Sequence, residues 1–162
     1  MSEHQIELTV NRRAVSARVE ARMTLGDFLR ENLGYTGTHL ACEHGVCGAC
    51  TIMMDGKAVR SCLMFAVQAD GTEIVTVEGV AAADGTLSPV QQAMRECHAL
   101  QCGFCTPGVV MTLTSLTEGE QRPDEQTLLN AMSGHLCRCT GYQGIRKAIA
   151  RLANERVDGE TA

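Results

Sequence analysis

The residues best equipped for chemistry are cysteines. Cys42, Cys47, Cys50 and Cys62 follow the spacing C-x4-C-x2-C-x11-C. Three of them sit on one short stretch, Cys42-Glu43-His44-Gly45-Val46-Cys47-Gly48-Ala49-Cys50, and Cys62 follows later. This plant-type arrangement suits a two-iron, two-sulfide cluster with two thiolates on each iron. Gly45 and Gly48 carry no side chain, so backbone N–H groups can approach the sulfurs and offset the negative charge of the cluster. The competing use of a C-x2-C pair is a structural zinc site. Zinc ligands usually come as two paired knuckles, however, and this run is a triplet plus one. The agreement of four positions at once favours iron–sulfur.

A second set follows. Cys102 and Cys105 precede one helical stretch, and Cys137 and Cys139 precede another. Helix N-termini offer free N–H donors and partial positive charge, so two of them converging on four thiolates suit a second anionic diiron cluster. The spacing C-x2-C…C-x-C taken alone leaves zinc open. The chain has nine cysteines, an odd number that suits a disulfide framework poorly. Two groups of four leave Cys97 over. It continues the i, i+3, i+4, i+7 series of Val90, Ala93 and Met94, and reads as a buried apolar thiol. Metal clusters in a reducing compartment account for this cysteine usage.

The length of 162 residues allows one ordinary domain or two small ones, and small domains need staples. A net charge of −5 argues against a nucleic-acid partner. No apolar run approaches a membrane span. Met1-Ser2-Glu3-His4 is polar and lacks the apolar core of a secretory signal, and Arg12-Arg13 is followed by small alternating residues. A cytoplasmic protein is expected. No G-x-G-x-x-G or Walker loop is present, so a nucleotide would have to bind elsewhere.

The elements that must hold these cysteines can be read in order. Ile6, Leu8 and Val10 alternate with polar residues, as do Val15, Ala17 and Val19, which predicts a β-hairpin turning at Asn11-Arg12-Arg13. Thr24 is placed to cap a helix, with Asp27 three residues on, Leu25, Phe28, Leu29 and Leu33 on one face, and Gly34 at its end. Thr51 to Met54 and Lys57 to Arg60 flank the turn Asp55-Gly56. Glu73 to Val77 reads as a last strand. Together these predict a β-grasp domain over residues 1–79. Residues 80–87 form a small-residue linker.

Beyond it the period changes to 3.6. Ser88, Pro89 and Gln91 open a helix with a capping box. A second helix opens at Thr106-Pro107, carries Val109, Val110, Leu113 and Leu116 inward, and stops at Gly119. Asp124 caps a third helix bearing Leu128, Leu129 and Met132, and Gly134 stops it. The fourth carries Ile145, Ala148, Ile149 and Leu152, and the residues from about 157 to 162 are expected to fray. Four short helices with tight turns predict an antiparallel bundle over residues 88–162. The fold class is therefore α+β.

With both cysteine sets in place, the flanking residues carry a resemblance. The first set, followed by Gln101-Cys102-Gly103-Phe104-Cys105-Thr106-Pro107-Gly108 and Leu136-Cys137-Arg138-Cys139-Thr140-Gly141-Tyr142, resembles the small iron–sulfur subunit of the xanthine oxidase family of molybdenum hydroxylases. The likeness runs from about Ile6 to Leu152. It implies a plant-type [2Fe-2S] ferredoxin domain followed by a four-helix domain holding a second [2Fe-2S] cluster. By the same resemblance, Gln101 and Cys139 contact the pterin of a molybdenum cofactor, Cys139 while also holding iron. His135 stands where many relatives have Asn. His44 and Arg138 lie beside ligand positions and read as solvent-facing or partner-facing.

The resemblance implies an electron-transfer subunit of a heteromeric oxidoreductase with no catalytic residue of its own. The molybdenum cofactor would lie on a large partner subunit and FAD on a medium one. Electrons would pass from molybdenum through the second cysteine set, then the first, to FAD. The expected substrate is an N-heterocycle or aldehyde. The competing readings are a carbon monoxide dehydrogenase small subunit, a free-standing two-cluster ferredoxin or redox sensor, and a zinc-stapled interaction module.

Overall fold

The structure, a computed structural model, describes residues 3–118 and 123–154. The predicted helix stop at Gly119 and the predicted fraying at 157–162 lie outside the described residues.

Five strands form one mixed sheet in the order β2-β1-β5-β3-β4 among the described residues. They are β1 (Glu3–Val10), β2 (Arg13–Glu20), β3 (Thr51–Met54), β4 (Lys57–Arg60) and β5 (Glu73–Val75). The alternation read from the sequence is the burial pattern: Ile6, Leu8, Val10 and Val19 point into the core. The β1–β2 hairpin turns on two residues, Asn11 and Arg12, both with positive φ (49° and 66°). That conformation matches the twist of the flanking strands. Arg13 pairs with Val10 as the first residue of β2 and is not part of the turn.

β5 runs parallel to β1 in the middle of the sheet, the β-grasp arrangement. It is shorter than predicted. The Asn11 side chain accepts from Thr76 N–H at 2.9 Å and donates to Thr76 Oγ1 at 2.8 Å, which pulls the chain out of the ladder. A 3-10 turn, Val77–Gly79, follows.

The first helix also departs from expectation. α1 is one α-turn, Leu25–Asp27, capped by Thr24, that widens at once into a π-turn, Phe28–Asn32. Leu33 N–H donates to Phe28 O, five residues back, at 3.2 Å. The wider turn lets the adjacent Phe28 and Leu29 both reach the core, where each is fully buried.

The helical half has α2 (Pro89–Glu96), α3 (Thr106–Thr117), α4 (Glu125–Met132) and α5 (Gln143–Asn154). Ser88 and Gln91 form the predicted capping box, and Asp124 caps α4. Val90, Met94, Val110, Leu113, Leu128 and Ile149 are among the residues of their shared core. Cys97 is half-buried against that core at the C-terminal end of α2, less enclosed than predicted, because the helix stops one residue earlier.

The two halves meet where α3 lies against the first cysteine loop. A Cβ placed on Gly108 would come within 2.2 Å of the Gly48 carbonyl oxygen, so only glycine permits this approach. Ala58 N–H also donates to Ser115 Oγ at 3.2 Å. A cavity of 490 Å³ lies near the linker, lined in part by Tyr35, Glu78, Val80 and Thr114, and contains no cysteine.

Candidate metal centres

The first four cysteines converge. Cys42, Cys47 and Cys50 sit on the loop before β3, and Cys62 lies on a 3-10 turn, Ser61–Leu63, directly after β4. Cys47 N–H donates to Cys42 Sγ at 3.3 Å. That bond and the His44 amide hold the Cys42 thiol well below its ordinary value, at about 6. Burial and the neighbouring Cys50 thiol push Cys62 up to about 11. Gly45 and Gly48 have φ of +81° and +79°. Leu63 closes over Gly45, where a Cβ would meet its Cδ1 at 2.5 Å.

The second four also converge. Cys102 and Cys105 lie on the loop entering α3, and Cys137 and Cys139 on the loop entering α5. The sulfurs of Cys102 and Cys139 are 3.4 Å apart. Burial, together with Cys137, pushes Cys105 up to about 12. Burial opposes ionisation of Cys137, but the Thr140 hydroxyl and amide hold it below its ordinary value. The hydroxyl lies 3.0 Å from Cys137 Sγ and the Thr140 N–H donates to the same sulfur at 3.5 Å. Cys102 is lowered by the Phe104 amide, and Cys139 is raised by its contact with Cys102.

Each set thus combines thiols lowered by backbone amides, Cys42 and Cys102, with thiols raised first by burial, Cys62 and Cys105. A bound cation would favour the thiolate form at all of them. No three described His, Cys, Asp or Glu side chains meet closely enough for a single ion. Two pairs of thiolates around a diiron rhomb need no such common point. The all-sulfur donor sets and the amides aimed at Cys42 and Cys137 fit a [2Fe-2S] cluster at each position, while the positive φ of Gly45 and Gly48 lets the first loop turn beneath Leu63 and His135.

Gln101 and Cys139 are exposed beside the second set, on the face of the chain that carries Cys102. His44 and Arg138 are exposed, and the His44 Nδ1 contacts the Cys42 carbonyl.

Other residues brace the loops, and of these His39 and Arg60 carried no signal in the sequence. His39 stacks on Phe104 with ring centroids 4.7 Å apart, and its Nδ1 lies 2.7 Å from the Phe104 carbonyl oxygen. Arg60 donates to the Gly134 carbonyl at 2.7 Å and to Thr51 Oγ1. Tyr142 OH accepts from Cys137 N–H at 2.8 Å and donates to the His135 carbonyl at 3.1 Å. His135 is 2% exposed and bonds Thr112 Oγ1 through Nε2 at 2.8 Å. Burial, and the charge of Arg60, lower it to about 4, so it is neutral at physiological pH.

Comparison with known proteins agrees with this geometry. Residues 8–76 match the family model described as a 2Fe-2S iron-sulfur cluster binding domain, and residues 76–150 match the one described as a [2Fe-2S] binding domain. The gamma subunit of caffeine dehydrogenase from a Pseudomonas species is 55% identical over 156 residues, which cover 94% of this chain and 93% of that subunit. The small subunit of nicotine 6-hydroxylase from Paenarthrobacter nicotinovorans is 54% identical over 145 residues, 90% of this chain and 87% of that one. Quinoline 2-oxidoreductase from Pseudomonas putida 86 contains a chain of 47% identity that superposes with a TM-score of 0.86 over 91% of both chains. The aldehyde oxidoreductase of Desulfovibrio gigas superposes at a TM-score of 0.85 with 37% identity, where 93% of this chain covers 17% of that one. With two [2Fe-2S]-binding domains in succession, this chain belongs to the small iron–sulfur subunits of the xanthine oxidase family of molybdenum hydroxylases.

Proposed function

We propose that this chain is the electron-transfer subunit of a heteromeric molybdenum hydroxylase. In it, Cys42, Cys47, Cys50 and Cys62 hold one [2Fe-2S] cluster and Cys102, Cys105, Cys137 and Cys139 hold the other. The observation that carries the reading is the convergence of two all-cysteine sets whose loops touch across the junction of the halves. The bound clusters supply one-electron redox chemistry. The chain ligates them, directs amides at their sulfurs and keeps water away from Cys50, Cys62 and Cys105, which are buried.

Gln101 and Cys139 are proposed to meet the pterin of a molybdenum cofactor on a large partner subunit. Gln101 can donate and accept through one amide, which suits a pterin edge. Their exposure beside the second set supports a partner on that side. Electrons would enter there and leave from the first set toward FAD on a medium subunit. The similar proteins named for caffeine and nicotine favour an N-heterocycle as substrate. The proposed division is residues 1–79, a linker at 80–87 and residues 88–162. A cytoplasmic site is part of the proposal, because thiolate-held clusters and an odd number of cysteines suit a reducing compartment. No helix among the described residues is long and apolar enough to cross a membrane.

Purification of the native complex, with metal and flavin analysis and low-temperature EPR after dithionite reduction, tests the proposal. The expected result is molybdenum and flavin on co-purifying chains and two distinct diiron signals. One signal, or tetrahedral zinc without inorganic sulfide, would refute it.

A further inference from the structure

The two cysteine loops are joined by a backbone hydrogen bond: Leu136 N–H donates to the Cys47 carbonyl at 3.0 Å. Cys47 belongs to the first set, and Leu136 immediately precedes Cys137 of the second. The bonded route between the sets therefore crosses one hydrogen bond and one intervening residue. The links from His39 to Phe104 and from Arg60 to Gly134 start three residues from Cys42 and two from Cys62, and are longer.

Leu136 does not hold its own place, since its side chain is 56% exposed. Its neighbour does. His135 is bonded at its amide (to Met132 O, 3.0 Å), at its carbonyl (from Tyr142 OH) and at its ring (to Thr112 on α3). The ring also fills the space in front of Gly48, next to Cys47, where a Cβ would come 2.4 Å from Nδ1. That Nδ1 is buried without a hydrogen-bond partner among the described residues, so the imidazole acts through one bond and its shape.

We propose that His135 is a positioning residue for electron transfer between the two cysteine sets: tied to Thr112 and seated on Gly48, it holds Leu136 N–H on the Cys47 carbonyl. The proposal rests on the two-cluster reading above. With both clusters bound, one electron would leave the reduced cluster of one set and reduce the oxidised cluster of the other. No bond forms or breaks and no proton moves.

The test uses the complete purified complex carrying His135→Phe, which keeps a ring of similar size and loses the Thr112 bond. Hydrogen exchange in the peptide containing Leu136 should quicken about tenfold, the factor expected for losing a hydrogen bond of ordinary strength. Freeze-quench EPR after substoichiometric dithionite should show the two signals reaching equilibrium severalfold more slowly, at unchanged iron content. Unchanged exchange, or faster exchange with an unchanged approach to equilibrium, overturns the proposal. If His135→Phe fails to assemble with its iron, Thr112→Val decides by the same two measurements, because it removes only the hydroxyl partner. The parent complex separates the two levels: absence of a second signal there defeats the electron-relay reading itself, whatever the variants do.

Discussion

Gly108→Ala offers a case in which helix propensity and packing give opposite signs. Gly108 lies in the first turn of α3. In an exposed helix the change to alanine stabilises by about 1 kcal/mol. Here the new methyl would sit 2.2 Å from the Gly48 carbonyl oxygen and 3.2 Å from Ala49 Cα. Carbon and carbonyl oxygen ordinarily approach to about 3.3–3.6 Å, so the helix and loop must part by about 1 Å. The loop cannot yield, because the Gly48 carbonyl already accepts from the Thr51 amide at 3.2 Å and hydroxyl at 2.6 Å. On its other side, Gly48 meets His135 and Gly134. The helix must move instead, opening the packing around Val109 and Val110. Overpacking costs about 1–3 kcal/mol, and a separation of about 1 Å belongs to the upper part of that range, about 2–3 kcal/mol, so the net is a loss of about 1–2 kcal/mol. The apparent midpoint of thermal bleaching of the visible iron–sulfur absorbance should fall by about 2–8 °C. A variant as stable as the parent, or more so, would show that the close approach is wrong.

Four further outcomes are expected. Cys62→Ser and Cys105→Ser should each leave about two irons per chain in place of about four, with the other set's EPR signal intact; loss of both signals would contradict independent ligand sets. In the metal-free chain Cys42 should be the fastest thiol of the first set to alkylate near neutral pH, with its rate falling as pH drops through about 6. Because its folded value lies below the ordinary 9.0, Cys42 stabilises the metal-free fold fully above pH 9, and the contribution is lost as pH falls through about 6; thiol-specific peptide mapping across that range checks both statements. Tyr142→Phe leaves the Cys137 amide without its acceptor and should cost about 1–3 kcal/mol, measured as earlier thermal loss of the second cluster. Ser88→Ala removes the α2 cap and should cost about 1 kcal/mol while leaving the iron content unchanged.

The sequence was most readable where one rule decided the matter alone. Alternation at Ile6, Leu8 and Val10 needs only a two-residue period, and Ser88, Pro89 and Gln91 declare a helix start within four residues. Within each loop the cysteine spacings are local in the same way, whereas the meeting of Cys102 with Cys139 joins positions 37 apart. Features that depend on distant partners were not readable. The π-turn at Phe28–Asn32 leaves the apolar spacing of an α-helix almost unchanged, and only the five-residue hydrogen bond reveals it. The early end of β5 depends on Asn11, 65 positions from Thr76. His135 showed in the sequence only as a residue where many relatives have Asn, because neither Thr112 nor Gly48 is near it in sequence. Arg60 likewise acquires its role only when Gly134 folds back beside it.

The contact between Cys47 and Leu136 also bears on how the chain matures. Translation at about 5–20 residues per second puts roughly 90 residues, and so several seconds, between the appearance of the first cysteine loop and that of the residue which braces it. For most of that interval Gly48 has no α3 behind it, and for all of it no His135 in front. Iron delivered then would enter a hinge open to water. The topology therefore favours an order in which sheet and bundle close on each other first and the metal arrives last.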